Sequence, residues 1–258
     1  MIIDFHTHVY PDKIADKGVS YIGDFYGFEL HTPGTIQHLS ACCQQAGVEK
    51  KVLLAVSIRP DQVDSINHWL RGLLDENTFG FGALHPHTED PIACLEHFRE
   101  WGFSGVKFHP DMQTFELDDQ RMFPVYAWLE EHRLPVYFHM GDPRYDYSRP
   151  YRLARVLDRF PGLIAIAAHL GGYCRWEEAE SCLKGAQVYY DTSSALAFMD
   201  PGRATEIILG HGTDKVLFGT DYPVTNQADE LERFYKLALT PDQQKAILGD
   251  NACRLLCI

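Results

Sequence analysis

Short apolar runs and amphipathic stretches alternate from the N-terminus almost to the last residue, and that alternation restricts the fold more than any other feature. Strand-like runs occupy Met1–His6, Lys51–Val56, Phe79–Leu84, Gly105–His109, Pro135–His139, Leu163–His169, Val188–Thr192 and Lys215–Gly219. Between them apolar residues recur at helical spacing, as in Ile36, Leu39, Cys43 and Ala46, in Val63, Ile66, Leu70 and Leu73, and in Leu153, Val156 and Phe160. Gly47 and Pro161-Gly162 stop two of these helices. Thr240-Pro241-Asp242-Gln243 reads as a capping box with proline in the first turn. Strands separated by helices pair in parallel. Eight such units in 258 residues match a single-domain (β/α)8 TIM barrel spanning 1–258 in count and length. A doubly wound open sheet is the competing arrangement. It is disfavoured because polar residues sit at the C-terminal ends of strands one, four, five, six and eight, and only a closed barrel brings those ends to one pocket.

Those polar residues carry the functional reading. Asp4, His6 and His8 alternate along the first strand, so all three are expected on one face, with the two imidazoles able to chelate one ion. His139 ends Pro135-Val136-Tyr137-Phe138, and His169 ends Ile164-Ala165-Ile166-Ala167-Ala168 before Leu170-Gly171-Gly172. Asp221 leaves Val216-Leu217-Phe218-Gly219-Thr220. Taken singly, each has an ordinary explanation: a hydrogen-bonded core histidine, or a helix N-cap for Asp221. Taken together, they suggest one metal site at one end of the barrel. Asp4 reads as an acceptor for an imidazole N–H. The long connection from Val9 to Thr35 would overhang this mouth as a lid.

The same set resembles the amidohydrolase superfamily. The strings Asp-Phe-His-Thr-His, Ala-His-Leu-Gly-Gly, Gly-Thr-Asp-Tyr-Pro and Ile-Leu-Gly-Asp-Asn-Ala are similar to the branch that includes aminocarboxymuconate-semialdehyde decarboxylase. The resemblance implies that His6, His8, His139 and Asp221 ligate one divalent ion, with His169 beside it as a catalytic group. Mixed imidazole and carboxylate ligation suits Zn2+ best, with Mn2+ and Fe2+ as alternatives. In binuclear members His169 would hold a second ion, bridged from strand four by a carboxylated lysine or a glutamate. Lys107 and His109 share one face of that strand, and a free lysine is the commoner state there. Both are taken as substrate-facing. Arg144, after strand five, could meet a substrate carboxylate, as could Arg175 after strand six. Asp191 would orient a ligand. His85 and His87 would be pocket wall or surface, and His31, His38, His68, His97, His132 and His211 solvated. TatD-type nucleases share the opening motif but look for a glutamate where Lys107 stands. Polymerase-and-histidinol-phosphatase proteins lack the later strings.

These assignments lead to a metal-dependent hydrolase. The ion would activate a water, Asp221 would move its proton, and an amide, ester or lactone of a small carboxylated molecule would be cleaved. Non-oxidative decarboxylation of an unsaturated or aromatic acid is the alternative, and a non-catalytic metal-binding barrel the third reading. A net charge of −13 with no basic cluster argues against nucleic acid or an anionic membrane as partner. No signal segment is visible, and the longest apolar run, Leu163 to Ala168, is too short to span a bilayer. Seven scattered cysteines without a Cys-x-x-Cys fit reduced thiols and a cytoplasmic setting. A small-molecule substrate is the expected partner, and the resemblance adds a homodimer.

Overall fold

The computed structural model describes residues 1–258. Eight parallel strands follow one another in sequence order: β1 Ile3–Thr7, β2 Lys50–Leu54, β3 Thr78–Ala83, β4 Gly105–Phe108, β5 Val136–Phe138, β6 Ala165–Ala167, β7 Val188–Asp191 and β8 Val216–Leu217. The ring closes where the Phe5 N–H donates to the Phe218 carbonyl and the Asp221 N–H to the His6 carbonyl, both at 2.8 Å. Helices pack outside the ring, and the whole is a TIM barrel. Gly47 ends the helix Ile36–Ala46 in the left-handed conformation, and the Thr240/Gln243 capping box forms as the sequence predicts.

The barrel interior is apolar at its base. Ile3, Phe5, Val52, Leu54, Phe81, Tyr137, Ile166 and Leu217 are buried there in one cluster. A separate, larger cluster fills the space between strands and helices. Gly105 is required by this packing, since a Cβ there would collide with the Phe81 ring and the Pro135 carbonyl.

Two local features aim the functional side chains. The first is a bulge in β1. Asp4 pairs with Lys51 and Thr7 with Leu53, so three steps along β1 match two along β2. Strict alternation therefore fails between Asp4 and His6. Phe5 packs inward on Phe81 and Tyr137, and His6 also turns inward, its ring 5.2 Å from that of Tyr137. Asp4 does not share their side, contrary to the sequence expectation. Its carboxylate accepts from the Thr220 N–H and hydroxyl and from Gln227 Nε2, and no imidazole donates to it.

The second feature is early strand termination. β5, β6 and β8 stop one or two residues sooner than the apolar runs suggest, so His139, His169 and Asp221 lie beyond the last ladder pairs. His169, Leu170 and Asp221 adopt positive φ of 61°, 52° and 65°. Such conformations are costly for residues with a Cβ and persist where the surroundings over-determine them. Here they turn the chain sharply and hold the side chains over the mouth. The Val9–Thr35 connection contains a helix, Ala15–Tyr26, ended by Gly27 at φ 80°. That helix overhangs the mouth as the sequence leads one to expect of a lid, with its last residue, Tyr26, lining the pocket.

Candidate metal centre and active site

The hydrogen-bond partners of each imidazole fix which nitrogen is bare. His8 donates from Nδ1 to the Leu54 carbonyl at 2.7 Å, leaving Nε2 without a hydrogen. His6 Nδ1 lies 3.0 Å from Asp191 Oδ2, so the carboxylate takes its hydrogen and His6 Nε2 is also bare. The two bare nitrogens face each other at 3.1 Å. Asp221 Oδ1 stands 3.3 Å from the first and 3.5 Å from the second. His169 gives its Nδ1 hydrogen to the Ser193 carbonyl at 2.9 Å and turns Nε2 to within 3.0 Å of His139 Nδ1.

Lone pairs and an anionic oxygen converging like this repel one another unless a cation lies among them. Donors bonded to one ion at about 2.0–2.2 Å stand roughly 3.0–3.5 Å apart along the edges of its coordination polyhedron. The four separations above, 3.0, 3.1, 3.3 and 3.5 Å, are of that size. Ligand atoms of His6, His169 and Asp221 also lie within 4.8 Å of one another. The donor set fits one divalent cation.

His109, Asp111 and His139 form a second group with atoms within 4.8 Å. The His109 and His139 rings stack at 3.9 Å and 7°. An imidazole binds a metal along its in-plane lone pair, so two parallel planes this far apart do not share an ion.

Electrostatics suits the same arrangement. Burial, reinforced by the Lys107 charge, pushes His6 down to about 3, and burial drives His109 and His139 well below the usual histidine range. Neutral imidazoles are what a cation requires. Burial would raise Asp191, but His6 and Ser193 outweigh it and hold the carboxyl well below the carboxylate range. Asp191 also accepts from the Tyr137 hydroxyl and from the His169 N–H at 3.1 Å, so one carboxylate orients two histidines.

Lys107 is fully buried with its Nζ 4.4 Å from the Tyr137 ring centre and no hydrogen-bond partner. Burial lowers it to about 8, against the pull of Asp191 and Asp221. His109 accepts the Met112 N–H at Nδ1 and meets the Tyr26 hydroxyl at Nε2. Arg144 is committed elsewhere: it pairs with Asp142 at 2.6 Å, donates to the Phe25 carbonyl and lies 4.4 Å over the Phe25 ring. It ties down the lid in this structure. Arg175 donates to the Pro143 carbonyl. His211, expected in solvent, is buried and stacks on Tyr190 at 3.7 Å, because its ring caps the Val188 carbonyl.

Sequence reasoning missed Tyr26, Tyr137 and Ser193. Tyr137 shares strand parity with His139, a signal that was available. Tyr26 lies in a connection with no motif. Above the metal donors opens a small pocket lined by Tyr26, Phe28, His139, His169, Tyr173, Ser194, Phe198, Asp221 and Val224.

Imidazoles and a carboxylate gathered around a cation position at the C-terminal mouth define the class of metal-dependent (β/α)8 enzymes. The family model described as Amidohydrolase matches residues 3–258, and the chain belongs to that family, as an enzyme of the amidohydrolase superfamily. Solved structures share its fold. An uncharacterized TIM-barrel protein from Bordetella bronchiseptica is 22% identical, with 99% of this chain and 98% of that chain covered and a TM-score of 0.77. The 5-carboxyvanillate decarboxylase of Sphingomonas paucimobilis is 14% identical over 100% and 99%, with a TM-score of 0.76. A dihydroxybenzoic acid decarboxylase from Polaromonas sp. JS666, with bound manganese and the inhibitor 2-nitroresorcinol, is 15% identical over 99% and 96%, with a TM-score of 0.71. No helix of this chain is long and apolar enough to cross a membrane.

Proposed function

We propose that this enzyme is a metal-dependent, non-oxidative decarboxylase of a small aromatic or unsaturated carboxylic acid. The sequence alone puts hydrolysis of an amide, ester or lactone first and decarboxylation second. The order reverses because the pocket over the donors is walled by aromatic rings, Tyr26, Phe28, Tyr173 and Phe198. That wall is the observation that carries the reading: it favours a flat, unsaturated ligand laid against the metal position. Two of the proteins sharing this fold are named as decarboxylases of aromatic acids, which supports the same choice.

In this reaction the bond between the ring carbon and the carboxylate breaks. The electron pair stays on the ring carbon, which takes up one proton, and CO2 leaves. A bound cation, Zn2+ or Mn2+, would supply positive charge that orients the acid's oxygens and offsets charge developing on the ring. Asp221, its Oδ2 held by the Ser194 hydroxyl at 2.6 Å, is the carboxylate placed to relay the proton, which it would take from solvent water and pass to the ring carbon. His169, locked by Ser193 and by the Trp176 indole on its carbonyl, would present its bare Nε2 to the cation and fix it against the bound acid. Lys107 and His109 lie buried behind the pocket lining, and Lys107 in its protonated form would add positive charge close to Asp221.

Protein purified without chelators and offered benzoate- and muconate-type acids beside ester, amide and lactone panels tests the proposal. CO2 release that drops about 100-fold or more in His169→Asn is expected. Turnover of an ester or lactone with no CO2 from any acid would overturn it in favour of hydrolysis.

A further inference from the structure

Tyr26 is the last residue of the lid helix, and its side chain reaches the histidines at the mouth. Its hydroxyl oxygen stands 2.9 Å from His109 Nε2 and 3.3 Å from His139 Nε2. It also lines the pocket beside Phe28 and Tyr173. The backbone of this helix end is held by Arg144, which bonds the Phe25 carbonyl while anchored to the buried Asp142.

The hydrogens around that oxygen can be assigned. Met112 donates its N–H to His109 Nδ1, so the hydrogen of this neutral ring is on Nε2 and points at Tyr26. His139 turns Nδ1 toward His169, whose own Nε2 is bare, and with a cation at these two nitrogens the hydrogen of His139 is on Nε2. It too points at Tyr26. Two ring N–H groups then fill the acceptor positions of the phenol oxygen. The phenol's own hydrogen has no acceptor among these histidines and faces the pocket.

We propose that Tyr26 is a catalytic residue of the lid: its hydroxyl donates a hydrogen bond to an oxygen of the bound acid. The inference rests on the reading that this pocket receives a small carboxylic acid at the metal. It adds a substrate contact from the β1–β2 connection, outside the barrel strands that carry the metal donors. Once the lid is in place the donor is already aimed by two imidazoles.

The test uses protein loaded with Co2+, whose visible spectrum reports ligands binding at the metal. Wild type and Tyr26→Phe, which keeps the ring, are titrated with benzoate and with bicarbonate. Equal Co2+ content and equal thermal midpoints are expected, with anion dissociation constants raised about tenfold or more in Tyr26→Phe, as for a lost bond to a charged partner. Constants within twofold of wild type would overturn the proposal. So would a wild type whose spectrum ignores both anions. A variant unable to take up Co2+ would make Tyr26 a support for the ligands, and would overturn it equally. The two readings fail separately. Anion binding that depends on Tyr26, with no CO2 from any acid, sinks the decarboxylase and leaves Tyr26 standing. CO2 release at equal rates from both proteins sinks Tyr26 alone.

Discussion

Whether a histidine can serve this site depends on which of its nitrogens carries the hydrogen. Asp191 decides this for His6, and it does so from strand β7, far from the His-x-His motif in sequence. Replacing it by asparagine keeps size and removes the charge that draws the Nδ1 hydrogen. We expect Asp191→Asn to weaken metal binding about 10- to 100-fold, measured by competition with a chromophoric chelator. Affinity equal to wild type would show that His6 is oriented by other means. The six residues His6, His8, His139, His169, Asp191 and Asp221 were all readable at strand ends, because a polar group leaving an apolar run needs a partner. Asp4 was misread, because a bulge shifts facing by one residue and leaves no mark in the hydrophobic pattern.

The lid helix and its clasp belong to the scale of elements. Arg144 was read as a contact to a substrate carboxylate, and its actual partner was not legible, since Phe25 lies more than a hundred positions away. Arg144→Ala should free the helix Ala15–Tyr26, raising its amide hydrogen exchange and the substrate KM while metal content stays constant. Unchanged exchange would remove the clasp from the account. The helix Pro201–His211 offers a second test at this scale. Burial lowers His211 to about 4, below its unfolded value near 6.5. Its contribution to stability is therefore complete above about pH 6.5 and is lost as the pH falls toward 4. His211→Gln should flatten that part of the stability–pH curve in urea titrations. An unaltered slope would mean the ring is solvated in the native state.

At the scale of the molecule, the barrel is one packed object whose aromatic base supports the polar mouth. Phe81 touches Phe5 and Tyr137, and Tyr137 in turn meets Asp191 and His6. Phe81→Ala should cost about 3–5 kcal/mol in denaturant unfolding. A loss below about 1 kcal/mol would show that the base is not the continuous layer described here. Eight strands and their order could be read from the alternation of periods, because each element must bury an apolar face against the ring. The exact strand ends could not. They are set by where the ladder is given up to turn His139, His169 and Asp221 over the mouth, a tertiary requirement that local pattern does not encode.

The most direct test of the account is the metal content of four purified proteins, wild type, His6→Ala, His8→Ala and Asp221→Ala, determined by elemental analysis without chelators. About one divalent ion per wild-type chain is expected, and less than about a tenth of that in each variant, with all four folded. Full occupancy in every variant, or none in the wild type after supplementation with Zn2+ and Mn2+, would contradict it.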